Sequence, residues 1–243
     1  MAEQSFTDRL QRSFEMRDII AVFDPVYNPG AALPGELDLG LPAFATKLNA
    51  VELLNNGAVD AANLYALTAR ERETHLATVL TAATSVLAYL RSKKKTLGSL
   101  LRGAEVIVKR MRGTRPKKKA APPAEGEAPP PKERNRGQQS YMEQAGHLRT
   151  LVTYLTGKPA YNPPATHPAA LGNLNSLLSS FRAFNTAICQ QDAALIHAES
   201  ERHEAYFKKH DGLQDHFHAM KEAVKSQYGA TSTQYGDIGS INW

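Results

Sequence analysis

The chain has 243 residues, with 29 Lys and Arg against 24 Asp and Glu, a formal net charge of +5 and a single cysteine. That length can bury one large core or two small ones without staples, and one cysteine excludes a disulfide scaffold. No window approaches the apolar length needed to cross a bilayer, and the first residues lack a basic region followed by an apolar run, so a soluble cytoplasmic protein without membrane contact is expected.

The first periodic stretch places Phe6, Leu10, Phe14 and Ile20 on one face of a helix. It ends shortly before "DPVYNPGA", residues 24–31. In that corner Pro29 biases Asn28 away from the helical region, and Tyr27 offers a large apolar body with a polar tip. Tyr27, Asn28 and Pro29 are therefore expected to close the end of a bundle rather than to react. A long helix follows from Leu41 to Arg91, its heptad seam made by Leu41, Phe44, Leu48, Val51, Ala58 and Tyr65. "NNG", Asn55 to Gly57, is a candidate break. Leu97, Leu101, Ala104, Val108 and Met111 line a third amphipathic helix, and Gly113 stands where a C-cap is expected.

Residues 113–139 are rich in proline and lysine and hold no large apolar side chain, the composition of a flexible, extended linker. Lys109 to Arg136 carries ten Lys or Arg against three Glu, whereas the rest of the chain holds 19 basic and 21 acidic residues. The excess positive charge is thus gathered in and beside the linker.

Beyond it the pattern repeats. Tyr141, Ala145, Leu148, Val152 and Leu155 form an apolar face, and "KPAYNPPA", residues 158–165, agrees with the earlier corner at five of eight positions. Tyr161, Asn162 and Pro163 are given the same structural role as their counterparts. In the next long helix Leu171, Leu174, Leu178, Phe181, Ile188 and Leu195 fall at the seam, at a constant offset of 130 from the first. Asn55 and Asn185 occupy equivalent seam positions, where a buried asparagine fixes register between helices. Cys189, in "FNTAICQQ", reads as a small buried hydrophobe. Leu213, Phe217, Met220, Val224 and Tyr228 line the last helix, with Gly229 at its C-cap. The expected fold is all-α: an elongated bundle of two duplicated three-helix units with long, coiled-coil-like helices. The boundaries are a first repeat over 1–112, a linker over 113–139, a second repeat over 140–229 and a tail over 230–243.

With the halves aligned, the chain resembles a family of uncharacterised helical proteins common in Bacteroidetes bacteria. The resemblance is carried by the two "YNP" corners, by Arg110, Gly113 and Arg115 at a basic motif closing the first half, and by "VKSQYGATSTQYGDIGSINW". In that last stretch Val224, Lys225, Ser226, Gly229, Ser232, Tyr235 and Ile238 match the family pattern. The family's arginine motif late in each long helix is met only in part, by "TARERET" and "ESERHEA". The resemblance implies an architecture and a bacterial setting, and no activity or cofactor.

Reactive signatures are missing: no G-x-S-x-G elbow, Walker loop, dinucleotide turn or cysteine pair is present. No enzyme, cofactor or small-molecule substrate is expected. His197, Glu201 and His203 lie at helical spacings that suit two-ligand metal fragments, a third reading behind two others. The first is a structural or protein-interaction scaffold with a protein partner or self-association. The second is nucleic-acid binding, indifferent to sequence, through Lys109, Arg110, Arg112, Arg115, Lys117, Lys118 and Lys119, where cations crowd without interleaved aromatics.

Overall fold

The computed structural model describes residues 2–23, 26–32, 36–113 and 140–243, with side chains from Phe6 onward. Among these residues all regular structure is helical: α1 (Ala2–Phe23), α2 (Leu41–Ser92), α3 (Lys94–Met111), α4 (Tyr141–Thr156), α5 (Leu171–Phe207), α6 (Leu213–Tyr228) and α7 (Thr233–Gly239). The seam read from the heptads is the buried seam. Phe44, Leu48, Val51, Asn55 and Ala58 of α2 are buried, as are their counterparts Leu174, Leu178, Phe181, Asn185 and Ile188 of α5, while Leu41, Tyr65, Leu171 and Leu195 are half-buried.

Packing divides the chain into two compact units, and each draws from both sides of residues 113–139. Unit 1 combines the chain up to Tyr65 with Gln191–Trp243, and unit 2 is Ala66–Gln190. The stretches 1–112 and 140–229 are therefore not the packing units. The far end of each long helix packs with the third helix of its own half and with the first helix of the other half.

In unit 1, Phe6, Leu10, Met16 and Ile20 of α1 meet Phe44, Leu48 and Val51 of α2, Tyr206 of α5, and Leu213, Phe217, Met220 and Val224 of α6. Burial of such side chains contributes about 1.5–3 kcal/mol each. The segment 230–243 joins this core. Ser232 caps α7 by accepting from the Tyr235 N–H at 3.1 Å, Ile238 and Ile241 are buried, and Lys221 Nζ donates to the carbonyls of Gly239 and Ile241.

In unit 2, Val79, Ala83, Val86 and Leu90 of α2 pack with Leu97, Leu101, Ala104, Val108 and Met111 of α3, Leu148, Leu151 and Leu155 of α4, and Leu174 and Phe181 of α5. A capping box opens α4: Ser140 Oγ accepts from the Glu143 N–H at 3.2 Å and the Glu143 carboxylate accepts from the Ser140 N–H at 3.0 Å. Gly113, at φ +68, follows α3 in the left-handed conformation that an L side chain resists.

Two local expectations are corrected. Helix α2 runs unbroken through Asn55–Gly57: Asn55 sits in the buried seam between Val51 and Ala58, and Gly57 lies on the exposed side. A lone helical glycine costs about 1 kcal/mol relative to alanine, less than those neighbours supply. Cys189 is exposed, because it stands one residue past the seam position Ile188 and is rotated out of it.

Candidate functional site

The two corners are built alike. In unit 1 the Tyr27 hydroxyl donates to the Leu39 carbonyl at 3.0 Å and lies 3.4 Å from Met220 Sδ. Burial pushes that phenol up to about 12. Asn28 Oδ1 accepts from the Gly30 N–H at 3.1 Å, closing a turn in which Gly30 takes φ +84. Gln227 of α6 fastens the corner from outside, accepting from the Asn28 N–H at 2.9 Å and donating to the Val26 carbonyl. Pro29 is half-buried.

In unit 2 the Tyr161 hydroxyl donates to the Ala169 carbonyl at 2.6 Å, and its ring meets Tyr89 edge-on at 5.5 Å. Burial again raises the phenol pKa. Pro163 is buried and Asn162 exposed. Both accepting carbonyls stand two residues before a long helix, at Leu41 and Leu171. Each tyrosine thus ties the loop to the start of the helix that follows it.

A second matched arrangement lies at the aromatic residue that opens each half. In unit 2 the Arg72 guanidinium sits 3.7 Å from the centroid of the Tyr141 ring, and the Asn185 amide donates to the Tyr141 carbonyl at 3.3 Å. In unit 1 the Arg202 guanidinium sits 4.5 Å from the Phe6 ring, and the Tyr206 hydroxyl donates to the Phe6 carbonyl at 2.9 Å. Arg72 and Arg202 are 130 positions apart, the offset of the seam itself. Each arginine, late in one half's long helix, covers the aromatic that opens the other half's first helix. Both arginines lie in the stretches "TARERET" and "ESERHEA" that match the family's arginine motif in part, and the constant offset is the signal that pairs them. Of the two seam asparagines, Asn185 carries the bond just described, while Asn55 is buried at its equivalent position.

The metal and cation candidates fare differently. His197 Nε2 is 3.8 Å from Glu201 Oε1 on an exposed face, and the His203 ring lies 4.9 Å from Phe207. Among the described residues no group of three His, Cys, Asp or Glu is placed to hold a metal. Lys109, Arg110 and Arg112 are exposed at the end of α3, and Arg112 donates to Thr84 Oγ1 at 2.6 Å. Arg115, Lys117, Lys118 and Lys119 lie outside the described residues. His216, unremarked in the sequence, is buried against Phe44 with ring centroids 6.3 Å apart, and burial lowers its pKa. No helix among the described residues is long and apolar enough to cross a membrane.

No family model, curated protein or solved structure matches the chain.

Proposed function

We propose that the chain is a non-enzymatic scaffold or interaction protein, made by tandem duplication of a three-helix unit in which each half completes the packing of the other. Equal burial along the two seams, the two tyrosine-to-carbonyl bonds and the two arginine–aromatic stacks support the duplication. The coiled-coil-like pairing of the long helices, the bacterial family and a cytoplasmic setting belong to the same reading.

The observation that carries the interaction role is on α2. Leu53 and Leu64 are 73% and 52% exposed and, being about three turns apart, share a side of the helix away from the seam. Leucines held open along a well-packed helix suit a protein surface that covers them, whether a partner or a second copy. The test is sedimentation of the purified protein beside a pull-down, repeated with Leu53→Lys and Leu64→Lys. An assembly or a captured partner that disappears in the double variant, with helicity unchanged, supports the reading. Identical behaviour of both proteins rejects that surface.

A second reading, attachment to nucleic acid through the basic segment, is favoured by its ten Lys or Arg against three Glu from Lys109 to Arg136.

A further inference from the structure

Charge is distributed by the fold in a way the sequence halves conceal. Residues 1–112 hold 14 Lys and Arg against 12 Asp and Glu, and residues 140–243 hold 8 against 9, so each half is close to neutral. The packing units are not. Unit 1, residues 1–65 with 191–243, has 9 basic and 17 acidic residues, a net of −8; unit 2, residues 66–190, has 20 and 7, a net of +13. Residues 66–113 and 140–190 alone contribute 13 basic and 4 acidic side chains, so unit 2 is strongly positive even without the segment between them.

The centre of that charge is α3 and the turn before it. Residues 91–112 contain eight Lys or Arg and one acid, Glu105. Arg91 pairs with Glu105 at 2.9 Å and Arg112 bonds Thr84, while Lys93, Lys94, Lys95, Arg102, Lys109 and Arg110 are exposed. The other side of α3 is buried through Leu97, Leu100, Leu101, Ala104, Val108 and Met111. At about 100° per residue, Arg102, Lys109 and Arg110 fall opposite that buried side.

We propose that this face of unit 2 docks the phosphate backbone of duplex nucleic acid. The α3 helix is kinked at Leu97, and residues 98–111 beyond the kink give a straight row about 21 Å long at the usual helical rise, enough to reach several phosphates of a regular duplex. Helix α3 contains no aromatic residue, so there is no platform for unstacked bases, and the match is to backbone rather than to single strands. A membrane surface fits less well, because an interfacial helix must offer an apolar side and that of α3 is already in the core. The negative unit 1 disfavours a polyanion, so contact is confined to unit 2. The proposal rests on the second reading above and moves the contact from the linker to a folded helix.

Fluorescence anisotropy of the full chain with two unrelated labelled duplexes, the matching single strand, and vesicles containing phosphatidylserine, each over a series of salt concentrations, tests it. Two variants are compared: Lys94→Gln, Lys95→Gln, Arg102→Gln, Lys109→Gln and Arg110→Gln together, and a linker version with every Lys and Arg of residues 114–139 changed to Gln. Both duplexes should bind alike and more weakly as salt rises. The helix variant should lose at least about tenfold in affinity, its log–log salt slope falling by about 0.9 for each phosphate contact removed, while the linker version keeps most of the binding. Circular dichroism checks the fold of the helix variant, and Lys93→Gln, Lys94→Gln and Lys95→Gln, confined to the exposed turn and first helical residues, give a second and milder probe. If the helix variants bind like the wild type and the linker version does not, the α3 proposal fails and the linker reading stands. Absence of duplex binding by the wild type removes both, and binding to vesicles but not to duplex also overturns the proposal.

Discussion

Replacing Gly103 by alanine tests how closely α3 rests on α4 in unit 2. An ideal Cβ at Gly103 lies 2.3 Å from Tyr154 Oη, 2.5 Å from its Cζ and 3.1 Å from its Cε1. Carbon atoms in contact need about 3.5–4.0 Å, so the phenol ring must move by roughly an ångström or the helices must part. The Tyr154 hydroxyl is only loosely held, 3.5 Å from the Leu100 carbonyl, so the ring is the part that yields. Overpacking of this kind costs about 1–3 kcal/mol, and the gain from Gly to Ala inside a helix is about 1 kcal/mol. The net is a destabilisation of about 0–2 kcal/mol in the wild-type background. With Tyr154→Ala the obstacle is gone, so Gly103→Ala should there stabilise by about 1 kcal/mol. Urea unfolding of the four proteins in a double-mutant cycle measures the coupling, expected at about 1–3 kcal/mol. A coupling within about 0.5 kcal/mol of zero, with Gly103→Ala stabilising both backgrounds alike, refutes the close approach of the two helices.

Tyr161→Phe leaves the buried Ala169 carbonyl without its donor and should cost about 1–3 kcal/mol; Tyr27→Phe should cost less, because the Leu39 carbonyl is only part-buried. Thermal melts that rank the two in the opposite order contradict the geometry of the corners. Burial depresses the pKa of His216, so the folded chain favours the neutral ring. That stability is fully present above the unfolded value of about 6.5 and is lost as pH falls through the folded value. His216→Leu should therefore flatten the acid side of the melting-temperature profile, and an unaltered profile in that variant would remove the assignment. Arg72→Ala and Arg202→Ala, judged by chemical denaturation, should each destabilise by at least about 0.5–2 kcal/mol from the lost cation–π contact; a silent Arg202→Ala is incompatible with its stack on Phe6.

Much of the local structure was legible because periodicity and proline act over a few residues. The apolar repeat identified the seam from Phe44 to Ala58 and from Leu174 to Ile188, and the proline corners marked where helices stop. What covers a seam was not legible. A heptad says which face is buried and is silent on the partner, so packing units that take the start of one half with the end of the other had no sequence signature. The stacks of Arg72 on Tyr141 and Arg202 on Phe6 depend on that exchange, as does the contrast between a net of −8 and one of +13. Asn55–Gly57 looked like a break because asparagine and glycine are weak helix formers, and burial of the seam on both sides overrode them. Cys189 was misplaced by one position on the helix, which is enough to turn a side chain from core to solvent. The 230–243 segment read as a tail because seven helical residues are too few for a clear period, yet Ile238 and Ile241 are buried in unit 1.

Reciprocal completion of the halves is tested most directly by separating them. Residues 1–112 and 140–243 should be produced alone and together as two chains, with assembly mass and cooperative thermal unfolding measured for each preparation. The two pieces made together should form a one-to-one complex that melts cooperatively near the intact protein, and either alone should be unstable or pair with itself in the manner of a duplicated unit. A monomeric 1–112 fragment that melts cooperatively at the temperature of the whole chain would contradict it.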